Sequence, residues 1–488
     1  MSFQPTWESV SQHQVPTWYH DAKVGVFLHW GLYSVPGWAP QVPDIQEMLR
    51  TQGPEAMLRD NPYAEWYLNS MRIEGSPTWQ HHRDTYGPQF RYDDFIGEFD
   101  ERSADADLDA LAAVCHAAGA QYVVLTTKHH DGFTLWPSEL AHPHKGHYHA
   151  RRDLVGDVSA AVRSRGMRMG LYYSGGYDWP FNDALLVNPA DSALAVPPGQ
   201  DYADYATGHV RELIERYAPS VLWNDICWSP KGDLAALFAQ YYNAVPEGVV
   251  NDRWLQHEMA RNPVADALVR GVGSLIQVGW KMLPEDAKSL TFPASTHYDF
   301  RTPEYASFDE IQMKKWEATR GVGHSFGANR NERSEDIITA TEVIRMVCDV
   351  VAKNGNLLIG IGPEPDGRIP EEQQVPLRGL GAWLAINGPA IYGTRPWQVA
   401  ATTTTEGTQV RFTTRDERVY ALLVDPPGVR EVGLRGVTVA APTLRMLGVD
   451  EDLPVRTCDG MSVVTLPERV PVSAAYALDL GPTARWGG

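Results

Sequence analysis

Short apolar runs that break into polar or ionisable residues set the rhythm of roughly the first 360 residues. Lys23 to Leu28 leads into His29-Trp30-Gly31, and Gln121 to Thr127 leads into Lys128-His129-His130-Asp131-Gly132. Met169 to Ser174 is a third run and Ser220 to Asp225 a fourth; Gly248 to Asn251, ahead of Asp252-Arg253-Trp254, is a fifth. Helical stretches fall between them, over about Asp107 to Ala118, Gly156 to Arg165 and Tyr205 to Tyr217. Two later apolar runs, Ser274 to Val278 and Leu290 to Ala294, are less clean. Gly323 to Gly327 reads as a strand before a helix of about Asp336 to Ala352. That helix has Val343, Ile344, Val347 and Val351 at helical spacing and stops at Asn354-Gly355, a left-handed cap. Asn356 to Ile361 reads as the closing strand.

Near-continuous apolar strands alternating with helices predict a parallel sheet buried on both faces. About eight such units predict an α/β fold of the (β/α)8 barrel type with long insertions. A doubly wound open sheet is the rival, but it gathers its polar residues near one switch point. Here they fall at the ends of at least five successive strands, where barrel active sites are built. No Gly-rich dinucleotide fingerprint and no P-loop occurs. After a last helix near Glu371 to Ile386 the texture changes. Gln409 to Thr413, Val419 to Val424, Val437 to Val439, Val463 to Leu466 and Ala474 to Leu478 read as an antiparallel β-sandwich. The expected division is a catalytic barrel over 1–393 and a supporting sandwich over 394–488.

Composition narrows the function. Of 488 residues, 43% are hydrophobic and 21% charged, the balance of a globular chain. A formal net charge of −19 repels phosphate backbones, so no nucleic-acid partner is expected. No uncharged apolar window of about 18 residues is present, so no membrane span is expected. The N-terminus as written has no basic start or apolar segment of a secretory leader, which predicts a cytoplasmic protein, or a secreted one if a leader was removed. The four cysteines, without a C-x-x-C pair, fit reduced thiols. Sixteen tryptophans either fill a large core or line a sugar cleft, and the sequence leaves both open.

The strand-end residues His29, His129, His130, Tyr172, Asp225 and Arg253 form the candidate constellation, with Trp223 beside the aspartate. Glu65 and Trp66 add a carboxylate and an aromatic from a loop, and Glu304 adds a carboxylate ahead of a helical stretch. Cleavage of a glycosidic bond needs two carboxyls across the bond, and hydroxyl-rich ligands need donors and acceptors beside an aromatic wall. His29 alone reads equally as a core histidine, and Arg253 as a partner of Asp252. His129 and His130 cannot both face inward unless the strand ends before them. Asp225, after five largely apolar residues, needs a partner or a job. Zinc is the competing reading of the histidines and Asp225, but no H-E-x-x-H helix accompanies them. The His142, His144, His147 and His149 run reads as a solvated loop, with metal chelation as the alternative.

The segments "KVGVFLHWGLYSVPGWAP", "NPYAEWYLNSM", "YVVLTTKHHDGFTLW", "RDLVGDV", "GLYYSGGYDWP", "LWNDICW", "TPEY", "VAKNGNLLIGIGP" and "WLAINGPAIYGTRPW" occur in this order. Together they closely resemble the α-L-fucosidases of glycoside hydrolase family 29, over about residues 6–397. The resemblance implies an exo-acting, retaining enzyme without metal or cofactor, whose partner is a fucosylated oligosaccharide or glycoconjugate. It implies Asp225 as nucleophile and Glu304 as acid/base, with Glu65 as the fallback. It carries sugar contacts to His29, Glu65, Trp66, His129, His130, Tyr172, Trp223 and Arg253, and Phe326 to the C6 methyl. Asn224, often aromatic in relatives, and the 142–149 loop depart from the pattern. A catalytically silent fucose binder and a metal-dependent barrel hydrolase are the alternatives, and assembly into a homo-oligomer is left open.

Overall fold

The structure is a computed structural model and describes residues 2–258, 262–280, 282, 294–305, 307–425, 428–470 and 472–487. Seven parallel strands make one curled sheet: β1 (Val24–Leu28), β2 (Tyr122–Lys128), β3 (Arg168–Ser174), β4 (Val221–Asp225), β5 (Val249–Val250), β6 (Trp316–Gly321) and β7 (Gly355–Ile361). Their order is β5-β4-β3-β2-β1-β7-β6. The segment 299–305 spans the gap between β5 and β6. Asp299 N donates to Val250 O on one side; on the other, Arg301 N donates to Lys315 O and Tyr305 N to Thr319 O. An irregular stretch thus stands where an eighth strand belongs.

Alternation along each strand sorts its side chains between two cores. Val24, Val26 and Leu28 of β1, Val123 and Leu125 of β2, and Met169, Leu171 and Tyr173 of β3 face the surrounding helices. Phe27, Tyr122, Val124, Tyr172, Val221, Trp223 and Leu358 form a separate cluster inside the curl. Gly25 makes room for it, because a Cβ there would lie 2.5 Å from the Tyr122 ring. The helices begin at side-chain caps: Asp107, Asp153 and Asp233 each accept from the backbone N–H three residues on. Trp30, Trp136, Trp179, Trp223, Trp228, Trp254 and Trp316 are all fully buried, so the tryptophan excess largely fills cores.

Three strand expectations are corrected. Ser274 to Val278 lies inside the Pro263–Trp280 helix. Gly323 to Gly327 is a loop, and the strand precedes it at Trp316–Gly321. The helix expected from about Asp336 starts at Ala340, where Thr339 and Glu342 make a reciprocal capping box. Of the Leu290 to Ala294 run, residues 290–293 lie outside the described residues.

The C-terminal part is antiparallel. β8 (Arg395–Thr403), β9 (Gln409–Arg415), β10 (Arg418–Val424), β11 (Glu431–Leu434), β12 (Val437–Thr438), β13 (Thr443–Met446), β14 (Asp452–Cys458), β15 (Met461–Thr465), β16 (Ala475–Gly481) and β17 (Arg485–Trp486) follow in turn. Eight of them form a sheet in the order β11-β15-β14-β13-β16-β10-β9-β8, and β12 pairs with β17. Alternation again divides the faces: Val419, Ala421 and Leu423 pack into this unit's own core. Tyr420, Leu422 and Val424 join the core around the parallel sheet. Trp383 Nε1 donates to Ala475 O (2.9 Å), tying the last long helix to β16.

Candidate active site

Asp225 is the last residue of β4 and falls on the inward face, two residues beyond Trp223. Its carboxylate accepts from Tyr172 Oη (2.8 Å to Oδ2), Arg253 Nη1 (2.9 Å to Oδ1) and its neighbour Ile226 N (2.9 Å to Oδ1). His130 Nε2 lies 3.9 Å from Oδ2. The same Arg253 Nη1 lies 2.6 Å from Glu304 Oε1. Two carboxylate oxygens share one nitrogen and so are no more than 5.5 Å apart. Glu304 is the more open of the two, with its side chain 28% exposed against 12% for Asp225.

Arg253 is fixed from behind. Its Nε donates to Thr302 Oγ1 and its Nη2 to Thr302 O, both at 3.0 Å. Its guanidinium carbon lies 4.8 Å from the Trp223 ring centroid. Burial works against its charge, but Glu304 and Asp225 outweigh burial and hold the guanidinium protonated beyond its ordinary range. Asp252, the partner expected for Arg253, instead accepts from the backbone and hydroxyl of Thr302. Asn224 braces the same region: its Nδ2 donates to Cys227 O (2.7 Å) and Arg253 O (2.8 Å), pinning the loops that carry both charges.

The backbone is strained at this rim. Ile226 and Cys227, directly after Asp225, have φ of 51° and 68°, and Tyr305, directly after Glu304, has φ of 49°. Such conformations cost non-glycine residues of order 1–3 kcal/mol each and persist where surrounding contacts over-determine them. Gly176 permits the turn, since a Cβ there would stand 1.4 Å from Ile226 O.

Rings make the rest of the constellation contiguous. His29 lies against Phe326 (centroids 4.8 Å apart), His129 against His130 (3.9 Å), Tyr172 against Trp223 (5.5 Å) and Trp66 edge-on to His130 (5.5 Å). β2 ends at Lys128, so His129 and His130 stand past the strand and both are buried. Burial lowers the His29 imidazole to about 3 and that of His130 to about 4, the latter despite the opposing pull of Asp225. Burial likewise drives His129 well down, so all three are neutral hydrogen-bonding groups near pH 7. Glu65 is 2% exposed; its Oε2 accepts from Gly327 N (2.9 Å) and Ser325 Oγ (3.1 Å). Burial raises its carboxyl to about 7, against the pull of those donors.

Several supporting residues carry no signal in the apolar pattern. Lys128 Nζ donates to Ser174 O (3.0 Å), Tyr177 O (3.3 Å) and Asp178 Oδ2 (3.0 Å), all fully buried, and Ser174 Oγ meets His130 Nδ1 at 2.7 Å. His142 Nε2 reaches Asp178 Oδ1 (3.2 Å), so the loop expected to be solvated docks through one buried histidine, while His144 and His147 are exposed. Below Trp223, Glu317 accepts from Trp223 Nε1 (3.0 Å), Tyr19 Oη (2.8 Å) and Tyr122 Oη. The signal for it is a glutamate inside an otherwise strand-like stretch. Among the described residues, no group of three or more His, Cys, Asp or Glu side chains is placed to hold a metal ion.

A bound anionic nucleophile, a second carboxyl within bond-cleaving distance and a ring of neutral donors suit chemistry at an acetal carbon. Comparison with known proteins agrees. The alpha-L-fucosidase family model matches residues 1–389. Tissue alpha-L-fucosidase of Homo sapiens is 30% identical over 494 residues, 98% of this chain and 91% of that one. Alpha-L-fucosidase of Dictyostelium discoideum is 28% identical over 489 residues, 96% of this chain and 92% of that one. Thermotoga maritima alpha-fucosidase in complex with a mechanism-based inhibitor is 38% identical, with a TM-score of 0.82 over 98% of this chain and 100% of that one. The same enzyme in complex with fucose gives 38% and 0.80 over 98% and 99%. Because the likeness runs the length of both partners and not through the strand-end motifs alone, the chain belongs to the alpha-L-fucosidase family, a family of glycoside hydrolases.

Proposed function

We propose that this chain is an exo-acting, retaining α-L-fucosidase that removes terminal α-L-fucosyl residues from oligosaccharides or glycoconjugates by double displacement. The observation that carries the reading is the single guanidinium nitrogen shared by Asp225 and Glu304, which holds the two carboxylates within 5.5 Å. A separation of about 5–5.5 Å suits direct attack by one carboxylate, whereas an inverting enzyme leaves about 6.5–9.5 Å for a water.

In this mechanism Asp225 Oδ2 or Oδ1 attacks the anomeric carbon while Glu304 gives its proton to the departing glycosidic oxygen. The C–O bond to the leaving group breaks as the Asp225–sugar ester forms. Glu304 then removes a proton from water, which attacks the same carbon and returns Asp225 to its ionised state. Glu304 is assigned the proton transfers because it is the more exposed carboxyl and shares Arg253 with Asp225. Glu65 is assigned to sugar hydroxyls, together with His29 and His129, since its Oε2 is occupied by Gly327 and Ser325. Phe326, beside His29, offers the apolar wall that a C6 methyl needs. Trp66 and Trp223 flank the ring, and Tyr172 and His130 orient the nucleophile.

Asp225→Ala tests the assignment. Arg253 keeps Glu304 and Thr302, so the fold should survive, while kcat on an aryl α-L-fucoside drops by roughly 10⁴-fold, about 5.5 kcal/mol of barrier. Azide should restore turnover and yield a fucosyl azide of inverted anomeric configuration. Wild-type-like turnover by the variant would refute the role of Asp225.

A further inference from the structure

The alternation that aims Asp225 upward also operates at the opposite end of the sheet. Lys23 lies two residues before Gly25 and Lys315 two before Glu317, so both side chains turn inward at the N-terminal ends of β1 and β6. β7 runs between them, with Leu357 N donating to Lys23 O and Gly355 paired with Trp316. Two strand spacings, about 10 Å, separate the lysine backbones, within reach of two lysine side chains extended toward each other. Both are closed off from solvent, 0% and 2% exposed. Among the described residues neither Nζ has a hydrogen-bond partner, although each ammonium carries three donors. His20 Nδ1, on the Thr17–Ala22 helix, is also buried without a partner.

Charge makes the arrangement asymmetric. Arg395 is the third cation and is bonded to Asp21 at 2.7 Å. Lys23 and Arg395 both oppose a charge on Lys315, while Glu317 and Asp21 favour it. Burial first, then Lys315, Arg395 and Lys23, lowers His20 to about 4, leaving it neutral near pH 7. Three cations therefore face two carboxylates, with one positive charge in excess. Burying unpartnered ammonium groups is unfavourable unless a counter-charge joins them.

We propose that the N-terminal end of the parallel sheet binds one small monovalent inorganic anion, a halide such as chloride, between Lys23 Nζ and Lys315 Nζ. A monatomic ion matches a single excess charge, accepts from ammonium donors in any geometry and occupies little space in a region closed to solvent. The rival occupant is a water bridging the lysines to Asn356 Oδ1, which is likewise buried without a partner. Water would leave the excess charge in place.

The test uses the full chain at pH 7 and constant ionic strength, melted in potassium chloride, potassium gluconate or potassium phosphate. Chloride should raise the wild-type Tm saturably, by about 3 °C at full occupancy relative to gluconate. Lys315→Met should melt at the same temperature in chloride and gluconate. In parallel, wild-type crystals soaked in bromide should give an anomalous peak between the two lysine nitrogens. Equal melting of the wild type in chloride and gluconate, or no bromide peak, would overturn the proposal in favour of water and neutral lysines. A response to phosphate but not chloride would overturn the halide assignment. Should Lys315→Met fail to fold, the bromide map on the wild type decides alone.

Discussion

Replacing Arg253 with methionine removes one cation from between two carboxylates while keeping an unbranched chain over Trp223. In the wild type, Arg253 Nη1 stands 2.9 Å from Asp225 Oδ1 and 2.6 Å from Glu304 Oε1, so the two oxygens lie within 5.5 Å. Two unit charges at that separation repel by at least about 3 kcal/mol at an effective dielectric of about 20. The side chains are only 12% and 28% exposed, so solvent screens this repulsion weakly. Loss of the two bonds to Thr302 adds about 1–2 kcal/mol that does not depend on pH. The repulsion exists only while both carboxyls are ionised; protonating either one removes it. The stability deficit of Arg253→Met against the wild type should therefore be largest near pH 8 and smaller by about 3 kcal/mol near pH 4. Chemical denaturation of both proteins at the two pH values measures it, and added salt should change it little. Turnover of an aryl α-L-fucoside at pH 7 should fall at least about 100-fold, because the pair can no longer stay charged and close. An equal deficit at both pH values would show that Arg253 acts through packing and Thr302 alone, and the charge-bridging argument would fall.

Glu65→Gln should flatten part of the pH dependence of stability. The folded Glu65 carboxyl is raised to about 7, so its contribution is full below about 4.5, is lost as pH rises through 7, and amounts to about 3 kcal/mol at most. Wild type should lose that much more stability than the variant between pH 4.5 and 7.5, and parallel curves would contradict it. Lys128→Met should cost about 3–5 kcal/mol in denaturant titration, because it strands the fully buried Asp178. Adding Asp178→Asn should recover a large part, and a double variant no better than the single would show that the pair is not the cause.

Strands are legible where both faces are apolar. β2 is expected at Gln121 to Thr127 and lies at Tyr122–Lys128, because Val123 and Leu125 face helices while Tyr122 and Val124 face the inner cluster. β6 escapes the pattern for the converse reason. Its inward positions are Glu317 and Thr319, and the glutamate is tolerated only because Tyr19, Tyr122 and Trp223 donate to it from other elements. Those partners lie 94 or more residues away along the chain, so no local pattern announces them. Ser274 to Val278 fails differently: five apolar residues fit a strand or one turn and a half of helix, and the Pro263–Trp280 helix claims them. Asp225 stands out as a carboxylate ending an apolar run. Glu304 does not, since it sits on the irregular 299–305 segment, and only the family resemblance singles it out.

One rule connects these successes and failures. Inward positions are spaced two apart, and each inward file changes character along its length. On β1 the file runs Lys23, Gly25, Phe27, His29; on β4 it runs Val221, Trp223, Asp225; on β6 it runs Lys315, Glu317, Thr319. Cations lie at the bottom, aromatic and apolar groups in the middle, and the reacting or hydrogen-bonding groups at the top. Trp223 joins the layers, because Glu317 takes its indole N–H from below and Arg253 lies over its face from above. A change at the polar centre of the sheet therefore reaches the Asp225–Glu304 pair through one ring. The strand-end charges are thus held both by their own contacts and by a column of side chains that descends to Lys315.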